Sequence, residues 1–115
     1  MKISFQGELG SYSHQACCEA FPKVEPLPCP TFEGAMEKVK VREAKYAVIP
    51  VENSTYGRVA DIHYLLPESG LFIVKEHFLR VHINLLALPG VSIREVKTAM
   101  SHAVLLGQCR KFLSK

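Results

Sequence analysis

The chain has 115 residues, of which 48% are hydrophobic and 22% are charged, and its formal net charge is +3 at pH 7. This length allows one domain, although a large α/β domain needs more residues, and the composition is ordinary for a globular protein. The basic residues are scattered, which argues against a nucleic-acid-binding face, and no apolar run approaches the roughly 20 residues of a membrane span. The small positive net charge suits an anionic small-molecule ligand, but it does not identify that ligand.

The four cysteines and five histidines show neither a metal-binding nor a redox pattern. Cys17 and Cys18 are adjacent, so that a disulfide between them is difficult, and no C-x-x-C pair occurs. The histidines are dispersed without zinc-ligand spacing. We interpret the cysteines as small apolar residues of a protein in a reducing cytoplasm, and we expect no metal site.

Strands and helices alternate in the first half of the chain. Ser11 and Thr31 are predicted helix N-caps, Pro22 disfavours helical geometry at the residue before it, and a run with three prolines is predicted as an edge strand. The predicted order is strand, helix, edge strand, helix and buried strand, at residues 2–5, 11–21, 24–30, 31–41 and 46–49.

The second half continues the alternation, and the whole pattern predicts an α/β fold. A helix starts near Val59 and ends at Pro67, and a turn follows at residues 89–90. A short helix is capped by Ser92, and the last helix is capped by Ser101. Apolar runs predict further strands at residues 71–74, 81–88 and 97–100.

Polar loops follow three of these predicted strands, at residues 7–13 (the first polar loop), 52–57 (the second) and 101–102 (the third). Ligands of open α/β sheets bind outside the carboxyl ends of strands, and a helix N-terminus suits a carboxylate or phosphate. The G-x-x-G spacing of Gly7 and Gly10 matches neither the dinucleotide fingerprint nor the phosphate loop. Taken alone, the first loop is as well explained as a tight turn, and the second is better explained by local hydrogen bonds.

Together and in this order, the three loops resemble sequence blocks of prephenate dehydratases. Residues 5–13 match the family's Phe-Gln-Gly-x-x-Gly-x-Tyr-Ser, and residues 50–57 match Pro-Ile-Glu-Asn-Ser-x-x-Gly with Val51 in place of Ile. Residues 101–109 match Ser-His-Pro-Gln-Ala-Leu-x-Gln-Cys in part, because Ala103, Val104 and Leu105 replace Pro, Gln and Ala. Single blocks are weak signals, but three ordered blocks that span the chain are specific.

The resemblance implies an α/β fold like that of two-lobed type II periplasmic binding proteins, with the ligand between the lobes. Residues 1–79 would form the first lobe and residues 80–115 part of the second. The implied activity is a carbon–oxygen lyase of L-phenylalanine biosynthesis, which converts prephenate to phenylpyruvate without a cofactor, since aromatisation drives the reaction. The implied substrate-binding residues are Gly10, Ser11, Tyr12, Ser13, Asn53, Ser54, Thr55, Ser101 and His102.

The departures from the family limit what is expected of this chain alone. It contains neither Thr-Arg-Phe, whose threonine is thought to be the key catalytic residue, nor the Glu-Ser-Arg-Pro motif of the phenylalanine-sensing regulatory domain. The catalytic residue is therefore unknown, and Glu52 is a weak candidate that we expect to stay ionised and to fix its loop. We expect a fold truncated within the second lobe, incomplete or inactive by itself.

An incomplete sheet leaves apolar faces and strand edges uncovered, so we expect a homo-oligomer, including a domain-swapped form. Two alternatives to a dehydratase remain at this point. One is a catalytically dead ligand-binding module of the same fold. The other, a nucleotide-binding βαβ protein, is disfavoured by the missing fingerprint.

Overall fold

The structure is a computed structural model that describes residues 1–55 and 57–115; Tyr56, in the second polar loop, lies outside the described residues. Strands and helices alternate up to residue 48, a two-stranded hairpin and a helix follow up to residue 69, and helices follow after residue 92. The elements are β1 (Lys2–Gln6), α1 (Tyr12–Ala20), β2 (Glu25–Cys29), α2 (Phe32–Lys40), β3 (Tyr46–Val48), β4 (Glu52–Asn53), β5 (Gly57–Arg58), α3 (Ala60–Ser69), a 3₁₀ turn (Ile93–Glu95), α4 (Ala103–Gln108) and α5 (Arg110–Leu113).

The centre of the fold is a three-stranded parallel sheet in the order β2-β1-β3. β1 pairs with β2 so that Gln6 lies beside Cys29, and with β3 so that Phe5 lies beside Val48. The proline-rich β2 lies at the edge of this sheet, as predicted, because proline cannot donate to a sheet hydrogen bond. β3 is half-buried, which corrects the prediction of a buried strand, because among the described residues it pairs with β1 and with no strand on its other side.

The two faces of β1 are covered by different helices. Ile3 and Phe5 are fully buried and pack against Cys17 of α1. Ser4 faces the other side, where its buried hydroxyl donates a 2.7 Å hydrogen bond to the carbonyl of Ala35 in α2. Because side chains alternate along a strand, α1 and α2 lie on opposite faces of the sheet.

The predicted N-caps of α1 and α2 are confirmed. The Ser11 hydroxyl accepts a hydrogen bond from the amide of His14 at 3.2 Å, and the Thr31 hydroxyl accepts one from the amide of Gly34 at 2.9 Å. Each bond satisfies a backbone donor that has no partner within its own helix. α1 ends at Ala20, two residues before Pro22, as the sequence indicates.

The second polar loop contains a short antiparallel hairpin rather than a simple turn. Glu52 pairs with Arg58 in β4 and β5, after which α3 packs against α2. The prediction that Pro67 ends α3 was wrong, since the helix continues to Ser69. Proline removes one amide donor, and here that loss falls in the last turn. Gly70 then ends the helix in the left-handed region, at φ 74°.

The predicted strands at residues 71–74, 81–88 and 97–100 are absent from the part of the chain that the structure describes. Residues 71–88, the apolar segment, instead expose large side chains, among them Phe72 (88%), Phe78 (85%) and Leu86 (87%). A strand needs a neighbour for its backbone groups, and none pairs with these residues within the described ranges. The apolar residues were recognised correctly, but the prediction that they form strands was wrong for the described residues.

The apolar segment runs along α1 from the C-terminal end of that helix towards its N-terminus. Three polar contacts join them: Lys75 Nζ donates to the carbonyl of Ala20 (3.1 Å), His77 Nε2 lies 3.0 Å from Glu19 Oε2, and the Tyr12 hydroxyl donates to the carbonyl of His82 (2.7 Å). The last contact attaches the segment directly to the first polar loop.

The C-terminal helices lie apart from the sheet. In the described ranges, α4 contacts α5 and no other helix or strand, and the predicted apolar face remains exposed at Val104 and Phe112. His102, not the predicted Ser101, occupies the N-cap position, without a side-chain hydrogen bond to the helix. None of the helices described is long and apolar enough to cross a membrane.

Candidate functional site

The carboxyl ends of β1 and β3 lie side by side, since Phe5 and Val48 are register partners in parallel strands. The chain leaves β1 towards α1 on one face of the sheet, and it leaves β3 towards α3, which packs on α2 at the other face. This divergence between neighbouring strands is a topological switch point, where open α/β sheets bind ligands. The first and second polar loops both begin at this edge.

The first polar loop is anchored at its base and needs glycine at two positions. The Gly7 amide donates to the carbonyl of Cys29 at 2.9 Å, and the Ser11 amide donates to the carbonyl of Glu8 at 3.2 Å. Gly7 and Gly10 have φ values of 125° and 91°, which side chains rarely adopt. A Cβ at position 7 would also approach the Ser11 hydroxyl to 3.1 Å.

Several predicted substrate contacts of this loop already have partners. The Gly10 amide donates to His14 Nδ1 at 3.0 Å, the Ser11 hydroxyl caps α1, and the Tyr12 hydroxyl is bonded to the apolar segment. Ser13 is half-buried in α1. The amides of Tyr12 and Ser13 have no carbonyl four residues earlier in the helix, so they are the donors at this end best suited to a carboxylate.

The second polar loop is held by local hydrogen bonds. Asn53 Oδ1 accepts from the Thr55 amide at 2.9 Å, which is the Asx turn that the sequence favours for this loop. Ser54 and Thr55 are exposed, and so is Glu52. The hydroxyls therefore face solvent at the edge of the sheet where the first loop also opens.

The third polar loop is not brought to this edge by any described strand. Ser101 and His102 are exposed, and the strand expected before them is absent from the described part of the chain. The expectation that this loop follows a strand end was wrong, because residues 97–100 find no strand with which to pair. The substrate contacts of Ser101 and His102 stay predictions.

Sequence reasoning missed one residue that contacts the first polar loop, His14 of α1. Its ring stacks on the buried Phe5 with centroids 5.6 Å apart, and its Nε2 lies 3.5 Å from the exposed thiol of Cys18. Positions 10, 14 and 18 are spaced by four residues, and this spacing aligns His14 and Cys18 on one side of a helix. This four-residue spacing was the sequence signal that could have indicated the contact. It was missed because the histidines were examined only for the spacing of zinc ligands.

The clearest pKa shifts lie outside the polar loops. Burial, with a smaller contribution from Cys18, raises the pKa of Cys17 to about 11, which suits a core thiol and not a nucleophile. Burial also raises the pKa of Cys29. No group of three or more metal-ligating side chains comes together among the residues described.

A cavity of about 400 Å³ opens at the opposite, amino end of the sheet. Its lining includes Lys2, Arg42 and Lys45, which are cationic, and Glu43. The predicted substrate-binding residues are not part of this cavity. The candidate site is thus the carboxyl edge of β1 and β3, a surface formed by loops.

A parallel α/β sheet with polar loops at its switch point defines a class of proteins that bind small molecules. Within this class, the family model for prephenate dehydratase matches residues 3–115 of the chain. The chain belongs to the prephenate dehydratase family.

Two curated relatives illustrate the range of this similarity. A bifunctional N-acyl-homoserine lactone acylase/prephenate dehydratase from Komagataeibacter europaeus is 44% identical over 98% of this chain. A chloroplastic arogenate dehydratase/prephenate dehydratase from Arabidopsis thaliana is 41% identical over 95% of it. The chain spans only 40% and 28% of the lengths of these two proteins.

Two solved structures share the fold. The quorum-quenching acylase GqqA is 52% identical, with a TM-score of 0.65 over 70% of this chain and 29% of its own. Prephenate dehydratase from Streptococcus mutans is 32% identical, with a TM-score of 0.55 over 57% of this chain and 35% of its own. These matches confirm the mixed α/β fold with a parallel sheet.

Proposed function

We propose that this chain is the substrate-binding, N-terminal part of an enzyme that converts prephenate to phenylpyruvate in L-phenylalanine biosynthesis. The observation that carries the proposal is the position of two family sequence blocks at the carboxyl ends of neighbouring parallel strands. The family match over residues 3–115 supports the same activity.

The reaction removes carbon dioxide and the ring hydroxyl while the ring becomes aromatic, and this aromatisation supplies the driving force. The protein must hold two carboxylates and assist the departure of hydroxide, so fixed neutral donors are useful. In this proposal, the first-turn amides of α1 bind one carboxylate. The hydroxyls of Ser11, Ser13, Ser54 and Thr55, with Asn53, orient the substrate.

Glu52 keeps a structural role in the proposal. It is exposed and lies in register with Arg58 across the hairpin, away from the first-turn amides of α1 that are proposed to bind the substrate carboxylate. We expect Glu52→Gln in a complete homologous domain to lower kcat only modestly. A collapse of kcat with substrate binding retained would instead identify Glu52 as the general acid, a role that typically contributes about 10²–10⁴-fold.

The proposal extends to the arrangement of the enzyme. Residues 1–79 would form the first lobe of a type II periplasmic-binding-protein-like fold, and residues 80–115 part of the second. Ser101 and His102 would meet the substrate from that second lobe. The exposed Phe72 and Phe78 support a homo-oligomer, including a swapped one, because large apolar side chains gain from burial. We place the protein in the cytoplasm, although several plant relatives are chloroplastic.

The direct test separates binding from catalysis. The 115 residues contain no Thr-Arg-Phe motif, so we expect calorimetry to detect prephenate binding while incubation yields no phenylpyruvate. Arogenate is the comparison ligand, because the plant relatives are named for it. Absence of binding to both ligands would overturn the proposal, and turnover by the chain alone would show that the catalytic group lies within it.

A second candidate activity is the hydrolysis of N-acyl-homoserine lactones, and the names of two similar proteins favour it. The two relatives with acylase names are 44% and 52% identical to this chain. Incubation with an N-acyl-homoserine lactone, followed by chromatography for the free homoserine lactone, tests this activity independently of prephenate.

A further inference from the structure

We propose that His14 is a positioning residue for the substrate, which holds the first polar loop in its binding conformation by accepting a hydrogen bond from the Gly10 amide. This inference rests on the proposed function, because the substrate is taken to be prephenate. His14 lies in α1, and the bond to Gly10 spans the junction between loop and helix.

The geometry determines which nitrogen of the imidazole carries the proton. A backbone amide can only donate, so Nδ1, 3.0 Å from the Gly10 nitrogen, must present a lone pair. In the neutral ring the proton then lies on Nε2, which is 3.5 Å from Cys18 Sγ and donates to it. The two contacts therefore select one tautomer and one ring orientation.

The ring is also held from the core. It stacks on Phe5, which is fully buried in β1, with centroids 5.6 Å apart and planes inclined by 30°. Gly10, in contrast, is exposed and has φ 91°, and a Cβ there would contact nothing within 4 Å. The imidazole thus connects Gly10, which packing does not restrain, to Phe5 in the core of the sheet.

The hydrogen bond between Gly10 and His14 should increase the affinity of the first polar loop for the substrate. The amides of Tyr12 and Ser13 follow Gly10 directly, and they are the donors proposed for a substrate carboxylate. A loop that is ordered before binding does not lose conformational entropy on binding, which is the general benefit of preorganisation. Without the bond, the loop must be ordered by the ligand, and the Kd of prephenate rises.

The test compares two substitutions with a matched control. His14→Phe keeps an aromatic ring against Phe5 but removes the acceptor, whereas His14→Asn places a carbonyl oxygen near the position of Nδ1. His63→Phe makes the same exchange at an exposed position of α3. Calorimetry gives the Kd of prephenate, and amide hydrogen exchange in the ligand-free chain reports on Gly10.

We expect His14→Phe to raise the Kd roughly three- to tenfold, the factor that one neutral hydrogen bond is worth, and to speed exchange at Gly10. His14→Asn should restore both quantities in large part, and His63→Phe should change neither. An unchanged Kd and unchanged exchange in His14→Phe would overturn the proposal, and so would an equal effect of the control.

Two further results keep the outcomes distinguishable. If the unmodified chain does not bind prephenate, the proposed function fails, but exchange at Gly10 still shows whether His14 holds the loop. If His14→Phe does not fold, the ¹⁵N chemical shifts of the His14 ring in the unmodified chain show which ring nitrogen carries the proton. A proton on Nδ1 would contradict the assignment, and one on Nε2 would support it.

Discussion

Replacing Ser11 by alanine removes a hydroxyl that has two roles, one in stability and one in the candidate site. As the N-cap of α1, Ser11 has extended backbone at φ −72° and ψ 167°, and its oxygen accepts from the His14 amide at 3.2 Å. As a member of the first polar loop, it is also predicted to bind the substrate. A matched substitution separates these roles.

Thr31 provides that match. It caps α2, which has nine residues like α1, from a similar backbone conformation, φ −130° and ψ 160°. Its hydroxyl accepts from the Gly34 amide at 2.9 Å. Thr31 follows β2, which lies on the side of β1 away from β3, so it is outside the proposed site.

Loss of an N-cap hydroxyl costs about 1 kcal/mol, within a range of roughly 0.5–2 kcal/mol. For a domain of 115 residues, a loss of this size corresponds to a decrease in Tm of about 4 °C. We expect Ser11→Ala and Thr31→Ala to lower the Tm by similar amounts, because each removes one acceptor for one helix amide.

Binding should then distinguish the two variants. Well below both melting temperatures, Ser11→Ala should raise the Kd of prephenate by roughly three- to tenfold through the lost hydroxyl contact, and Thr31→Ala should leave it unchanged. Thermal melts followed by circular dichroism and calorimetric titrations measure the two effects. Equal effects on Kd, or no effect of Ser11→Ala, would refute the placement of the substrate at the first polar loop.

Three further outcomes follow from the core and from the ionisable groups. Phe5→Ala should cost about 3–5 kcal/mol of a total stability of roughly 5–15 kcal/mol, because it removes a fully buried ring, and urea denaturation measures this loss. Hydrogen bonds to Glu19, from Gln15 and then from an imidazole of the apolar segment, hold the pKa of that carboxyl below its usual range. The resulting stability is present above the ordinary pKa of about 4.3 and is lost as the pH falls through the lower folded value, so Glu19→Gln should flatten the acid side of a Tm-against-pH curve. Iodoacetamide at pH 8 should modify the exposed Cys18 long before the buried Cys17, because burial raises the pKa of Cys17 to about 11. Peptide mass spectrometry follows the two reactions, and equal rates would contradict this prediction.

The accuracy of the sequence predictions changes along the chain. Up to Val48 the order of strands and helices was predicted well, because their signals are local: Ser11 and Thr31 cap helices, and prolines confine β2 to an edge. Beyond Gly70 the predicted strands failed. Strand formation depends on a partner that is distant in sequence, and periodicity cannot show whether one is present.

The candidate site shows the same division. The first and second polar loops could be predicted from residue types at strand ends, and the resemblance implies prephenate as their ligand. The hydrogen bond between Gly10 and His14 could not be predicted from residue types, since it depends on the left-handed backbone of Gly10 and on the His14 ring stacking against Phe5. Such geometry is formed by the loop and the sheet together.

By itself, the sequence determined the α/β class, the caps of α1 and α2 and the family, since all three depend on the types and order of residues. Only the tertiary structure decided that Ile3 and Phe5 face α1 while Ser4 faces α2, which makes the carboxyl edge of β1 and β3 a switch point. It also decided that the apolar segment remains exposed along α1. Both results depend on which distant elements meet, and the physical reason is that burial and strand pairing are contacts between segments, not properties of one segment.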